Sequence, residues 1–321
     1  GDTPVLGFTS LSRRAMARGG PWRELQQRVL FRAHRLLGRD RYRSVADLWA
    51  MSLDGPDFAI KLKTICRLHQ IEVIWMILES DEFSGLFAQR DLLADNGRRV
   101  ILNIHDPPIR SMERGCELAN WIRPIFRYRL QQALPRCSAV AVASREMGRR
   151  SGCLGAEVLV HGHPLNQLRP PAVSPKKPER LSIGFVGTLY ARQTWQALLA
   201  ALDEVDWRLL GRKVELVFVG DERKLASQDV ARRPIRLAGW LPTPECLKQL
   251  EACDLGYLPY WLNRGEWVEQ CFPSKLTSYV AAGIPVLVHA PLQSTPARFL
   301  SQYPLGICCP SLDSGDIRAA L

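Results

Sequence analysis

Ser274 and Lys275 stand where a turn gives way to a helix, a place that can hold an anion. The stretch reads Phe272-Pro273-Ser274-Lys275-Leu276-Thr277-Ser278-Tyr279-Val280-Ala281-Ala282-Gly283-Ile284-Pro285-Val286-Leu287. Pro273 fixes φ, and Ser274 is suited to cap a helix. Leu276, Tyr279, Val280 and Ala282 fall near helical spacing, Gly283 ends the helix, and residues 284–288 read as a buried strand. The free N–H groups and positive dipole end of such a helix attract negative charge. A lysine there adds a full charge, which suits a phosphate or diphosphate. The same pattern also describes a surface lysine on an ordinary capped helix, and physics alone leaves both readings open.

Other residues offer compatible chemistry. Ile183-Gly184-Phe185-Val186-Gly187-Thr188-Leu189 is a strand followed by a glycine turn, and Gly187 lets the backbone approach a ligand. It is not a full G-x-G-x-x-G, so a dinucleotide site is not indicated. Arg192 follows as a nearby charge or as a solvated loop residue. Trp240, in Arg236-Leu237-Ala238-Gly239-Trp240-Leu241-Pro242, offers a flat apolar face for stacking or packs under its turn. His105 closes the strand Val100-Ile101-Leu102-Asn103-Ile104 and precedes Asp106. A histidine at the carboxyl end of a parallel strand points toward a ligand cleft, or it caps the next turn. No G-x-S-x-G elbow accompanies it, so a serine triad is not indicated. His161 and His163 read as turn residues, because no cysteine or histidine partner stands at metal-site spacing.

The elements that must position these residues alternate. In the second half, strands at 181–186, 214–219, 235–237 and 255–258 are separated by helices at 194–202 and 244–252. In the first half, residues 58–68 read as a helix and 71–78, 99–104, 139–143 and 157–160 as strands. Helices at 84–95 and 120–133 lie between them, and Ser144 is placed to cap another. Such alternation predicts an α/β fold with parallel, doubly wound sheets. Arg169-Pro170-Pro171-Ala172-Val173-Ser174-Pro175-Lys176-Lys177-Pro178 reads as a linker. The expected division is therefore a domain at 1–168, a linker at 169–180 and a domain at 181–321.

With these elements in place, Phe272 to Leu287 resembles the donor-site segment of retaining GT-B glycosyltransferases of the group 1, or family four, type. The segments at 183–189, 235–242 and 139–147 resemble the same family, and the likeness spans residues 70–310. The resemblance implies two facing Rossmann-like domains, a nucleotide-sugar donor linked to UDP or GDP, and metal-independent transfer with retention. It implies no separate cofactor and no metal. Lys275 and Ser274, after Pro273, would hold the diphosphate and stabilise the departing charge, with Gly187 and Thr188 lining the pocket. Trp240 and Leu241 would lie by the base. His105 would position the donor or stabilise the leaving group. The chain departs from the family at four positions. Thr188 stands where the family has a basic residue, and Gln193 where it has a lysine. Ser278 and Gln270 stand in place of two glutamates, with Glu269 one residue from the second of these. Two further readings stand beside it: a GT-B binding or assembly subunit without catalysis, which these departures favour, and a sugar-nucleotide epimerase on the same fold.

Composition bounds the rest. The chain has 321 residues and a formal net charge of +11. Residues 1–170 hold 26 Lys and Arg against 17 Asp and Glu, so the basic surplus belongs to the first half. Arginine-rich amphipathic stretches at 22–37 and 121–134 suit an anionic membrane surface, or a helix with a solvated basic face. A glycan or lipid-linked acceptor fits the first of these. No nucleic-acid motif is present, so nucleic acid is not an expected partner. No apolar run reaches the roughly 18 residues that span a bilayer. The nine cysteines form no C-x-x-C pair, which predicts reduced thiols in a cytoplasmic protein, peripheral to the membrane if bound. Both ends read as truncated: no glycine-rich first turn opens the chain, and it stops in a helix just begun.

Overall fold

The computed structural model describes residues 55–78, 98–107, 124, 128, 130–159, 162, 178–263 and 265–321. The chain divides into two compact units, Gly1–Val158 and Leu159–Leu321. The amphipathic stretch at 22–37, the helix at 84–95, most of 120–134, His161, His163 and residues 169–177 lie outside the described residues.

In the first unit, α1 (Gly55–Leu68) precedes β1 (Val73–Leu78) and β2 (Arg99–Ile104), and β3 (Ala139–Val142), α2 (Arg145–Ser151) and β4 (Glu157–Val158) follow. The four strands pair in parallel in the order β1-β2-β3-β4. Leu102, Ile104 and Val142 bury against Met147 of α2, while Ile74 and Val100 bury against Leu62 and Cys66 of α1. Ser144 caps α2 as expected, its Oγ accepting from the Met147 N–H at 3.1 Å. That cap satisfies one of the orphan donors at the helix start.

The second unit runs β5 (Arg180–Gly187), α3 (Arg192–Asp203), β6 (Arg208–Leu209), β7 (Arg212–Gly220), α4 (Ser227–Val230), β8 (Ile235–Gly239), α5 (Thr243–Glu251) and β9 (Leu255–Pro259). It ends with α6 (Gly265–Gln270), α7 (Ser274–Ala281), β10 (Val286–His289), α8 (Thr295–Gln302), β11 (Gly306–Cys309) and α9 (Ser314–Ala320). Six strands pair in parallel in the order β11-β10-β9-β5-β7-β8, and β6 adds a short antiparallel partner to β7. The strand order reverses between β5 and β9, which is the topological switch point of a doubly wound sheet.

Alternate residues of these strands bury on opposite faces. Val217, Val219, Leu258 and Val288 join Leu247 and Leu250 of α5 and Leu276 and Tyr279 of α7. Leu216, Phe218, Tyr257 and Leu287 join Trp195, Leu198, Leu199 and Leu202 of α3 and Ile317 of α9. A sheet covered on both faces needs continuous apolar strands, and that is why residues 183–186, 216–219, 256–258 and 286–288 carry no polar alternation. Each fully buried large apolar side chain contributes about 1.5–3 kcal/mol.

Two local readings need correction or refinement. Ser274 does not cap α7: the cap position is Pro273, no side chain bonds to the first turn, and Ser274 is the first helical residue. Proline at the cap leaves the first helical N–H groups without a side-chain acceptor, and the Ser274 carbonyl instead accepts from Thr277 Oγ1 at 2.7 Å. Val280 is 44 % exposed, so the buried stripe of α7 is Leu276 and Tyr279, continued by Ala282 at its C-cap. The eight cysteines among the described residues form no disulfide with one another, and six of them are buried.

Candidate functional site

The carboxyl ends of β5, β7 and β8 and the start of α7 enclose two clefts that share Trp240. The larger, about 460 Å³, is lined by Gly187, Thr188 and Tyr190 after β5, by Trp240 after β8, and by Ser274, Lys275 and Ser278 of α7. The smaller, about 340 Å³, is lined by Gly220 to Arg223 after β7 and by Gly239 and Trp240.

Lys275 is the cation of the larger cleft. It is partly buried, and among the described residues it has no carboxylate partner. Its Nζ lies 4.4 Å from the Tyr190 ring centroid and 5.8 Å from that of Phe185. Burial pulls its ammonium down from 10.5 to about 8. An ammonium held without a counter-ion is costly, and an arriving anion relieves that cost.

Gly187 makes this placement possible. Its φ of +86° is a left-handed conformation that suits glycine, and an added Cβ would sit 3.3 Å from Lys275 Nζ. The lysine head therefore rests against bare backbone at the end of β5.

Tyr279 holds α7 in register with that strand end. β5 and β9 pair only at Ile183–Leu255 and Gly184–Gly256, then part toward their carboxyl ends. The Tyr279 hydroxyl bridges the gap, accepting from the Val186 N–H at 3.3 Å and donating to the Tyr257 carbonyl at 2.7 Å. Its ring occupies the space above Gly256, where an added Cβ would lie 2.5 Å from the ring. The polar filler of that gap and Lys275 thus come from one helix.

Trp240 is 73 % exposed, so it does not pack under its turn and its indole is free to meet a ligand. Leu241 is partly buried against the core beneath. Asp221 accepts from the Arg223 side chain at 2.7 Å, and that arginine holds its carboxyl below the usual carboxylate range.

Several expected residues lie elsewhere. Arg192 and Gln193 are exposed on the first turn of α3 and line neither cleft; Arg192 donates to the Lys224 carbonyl at 3.2 Å. Glu269 is on α6, where its backbone carbonyl accepts from Arg298 at 2.7 Å, and it too lines neither cleft. Pro273 is buried at the cap of α7. His105 belongs to the first unit, directly after β2, and its N–H donates to the Leu78 carbonyl at 3.1 Å. Tyr190 and Tyr279 were not anticipated as site residues. The position of Tyr190, three residues after Gly187, was the available signal.

Among the described residues, no group of three or more His, Cys, Asp or Glu is arranged to hold a metal ion. No helix among them is long and apolar enough to cross a membrane.

No protein-family model matches the chain. No curated protein matches it either. Solved structures do resemble it. Sucrose-phosphate synthase from Thermosynechococcus elongatus superposes with a TM-score of 0.61 at 14% identity, covering 83% of this chain and 67% of that one. A lipopolysaccharide outer core galactosyltransferase, WaaB, in its apo form gives 0.54 at 11% identity, over 84% and 70%. The E. coli structure described as trehalose-6-phosphate bound with UDP-2-fluoro glucose gives 0.53 at 13% identity, over 83% and 67%. Parallel sheets, a doubly wound second unit and this likeness give one conclusion: the chain has the GT-B fold.

Proposed function

We propose that this chain is a glycosyltransferase that moves a sugar from a nucleotide-sugar donor to a glycan or lipid-linked acceptor with retention. The observation that carries the reading is Lys275. It is a partly buried ammonium without a carboxylate partner, set at the start of α7 against the Gly187 turn.

In this reading the diphosphate occupies the larger cleft and the base lies along Trp240 toward the smaller one. Transfer breaks the bond between the anomeric carbon and the diphosphate oxygen. A bond to an acceptor hydroxyl forms on the same face, and the hydroxyl proton leaves with the diphosphate. Negative charge grows on the departing oxygen. Lys275 and the free N–H groups of α7 are already aimed at that charge, so little reorganisation is needed. They do the work a divalent cation would otherwise do, and chelators are expected to leave the reaction unchanged. Ser278 supplies a hydroxyl for one hydrogen bond to the donor. We assign His105 a part in transfer: His105→Ala should slow it and leave nucleotide binding unchanged.

The experiment is incubation with UDP- and GDP-sugars, following nucleotide release and the anomer formed. Release of the α-anomer from an α-linked donor supports the reading. Nucleotide binding without transfer or hydrolysis, in the presence of varied acceptors, would favour a binding subunit instead. Turnover to an epimeric nucleotide sugar without any acceptor would favour an epimerase.

A further inference from the structure

Tyr190 has no part in the reading above, yet it is the aromatic group nearest the cation. It sits on the loop between β5 and α3, and Lys275 Nζ lies 4.4 Å from its ring centroid. Its own position is fixed from behind: the Trp261 ring centroid is 4.6 Å away and that of Tyr260 6.3 Å. Trp261 in turn meets Trp267 edge-on at 4.5 Å. Three aromatics that follow β9 or lie on α6 therefore brace one ring on the β5 loop.

We propose that Tyr190 is a positioning residue that holds the Lys275 ammonium ready for the donor's phosphates. This rests on the donor-site reading of the cleft. The physics lies in what a ring does and a carboxylate does not. A carboxylate at this place would compete with the diphosphate for the ammonium. A ring face attracts the charge and forms no strong directed bond to its N–H donors. The ammonium stays charged and oriented, and it yields to a phosphate on arrival. β5 brings Phe185, Val186 and Gly187 to the surroundings of Lys275, and α7 and the β8 turn bring Ser274, Thr277, Ser278 and Trp240 into the same cleft.

The test compares the parent chain with Tyr190→Phe and Tyr190→Leu by calorimetric titration of UDP and GDP from pH 6 to 10. Thermal melts check that each variant folds, and Tyr190→Met replaces the leucine variant if that one does not. Losing the ring frees a lysine side chain that binding must then order. The leucine variant should bind about threefold to tenfold more weakly at pH 7. Its affinity should also begin to fall at a lower pH than the parent's. Phenylalanine, which keeps the ring, should restore both the affinity to within about twofold and the parent pH profile. A folded leucine or methionine variant with the parent's affinity and pH profile overturns the proposal while leaving the donor site standing. So does a phenylalanine variant as weak as leucine, since the hydroxyl would then be the active part. If the parent chain itself binds neither nucleotide, the donor-site reading fails and this one with it.

Discussion

Lys275 carries a stability cost that has a definite sign. Its folded value, about 8, lies below the ordinary 10.5 because burial disfavours the ammonium. Between those values the unfolded chain binds more protons than the folded one, so stability rises with pH across that window. Below pH 8 the cost is fully present, on the order of 1–3 kcal/mol. Lys275→Met should therefore melt a few degrees higher than the parent at pH 7, with the gain fading as pH approaches 10.5. Melting curves at pH 7 and pH 10 check this. Binding follows the opposite slope: nucleotide affinity should be flat between about pH 7 and 8, where the terminal phosphate is already ionised, and fall as pH rises above 8. Trp240 is a simpler case. It is 73 % exposed, so Trp240→Ala should leave the melting temperature within error. It should weaken nucleotide binding by about 1–3 kcal/mol, the worth of a base stacked on an aromatic side chain. Neither the cost at Lys275 nor the exposure of Trp240 is written in residue types. Both depend on what packs around the side chain, and that is long-range information.

At the scale of elements, α7 does three jobs. Leu276 and Tyr279 bury it on the sheet, its N-terminus faces the cleft, and the Tyr279 hydroxyl mends the gap between β5 and β9. Tyr279→Phe keeps the ring and removes the bridge, leaving the Val186 N–H and the Tyr257 carbonyl without that partner. Each unpaired buried group costs about 1–3 kcal/mol, so a loss of 2 kcal/mol or more in a denaturant titration is expected. A loss under 0.5 kcal/mol would mean the bridge is replaced locally. The helix and strand order around α7 was legible because its apolar spacing, Gly283 and the strand after it are local signals. The cap was misread for a physical reason. Pro273 and Ser274 both suit a helix start, and only the backbone at Pro273, with φ −74° and ψ 119°, shows which of them takes the cap. The splayed strands were not legible at all, since pairing between residues 184 and 256 is not encoded in either segment alone.

Across the molecule, the two parallel sheets and the doubly wound class of the second unit were legible from alternation and apolar runs, whereas its strand order came only from the structure. The site was legible in part. Gly187, Thr188, Trp240, Ser274, Lys275 and Ser278 share the clefts, whereas Arg192, Gln193 and Glu269 do not line them. The two charged residues expected from the α3 turn and from α6, Arg192 and Glu269, thus stand apart from the cleft that holds Lys275. The basic surplus of the first 170 residues fits an acceptor carried on an anionic membrane. Sedimentation with anionic and neutral vesicles checks that proposal. Greater recovery with anionic lipid, reduced by salt, is expected, and equal recovery with both would end it.

The central claim is that the cleft at Lys275 holds a nucleoside diphosphate. Calorimetric titration of the full chain with UDP and GDP at pH 7 tests it most directly. The account predicts that one of the two binds, and that Lys275→Ala, still folded, binds it more weakly by roughly 1.5–3 kcal/mol, the worth of a charge-assisted hydrogen bond. A folded parent chain that binds neither nucleotide, or an alanine variant that binds as tightly as the parent, would contradict it.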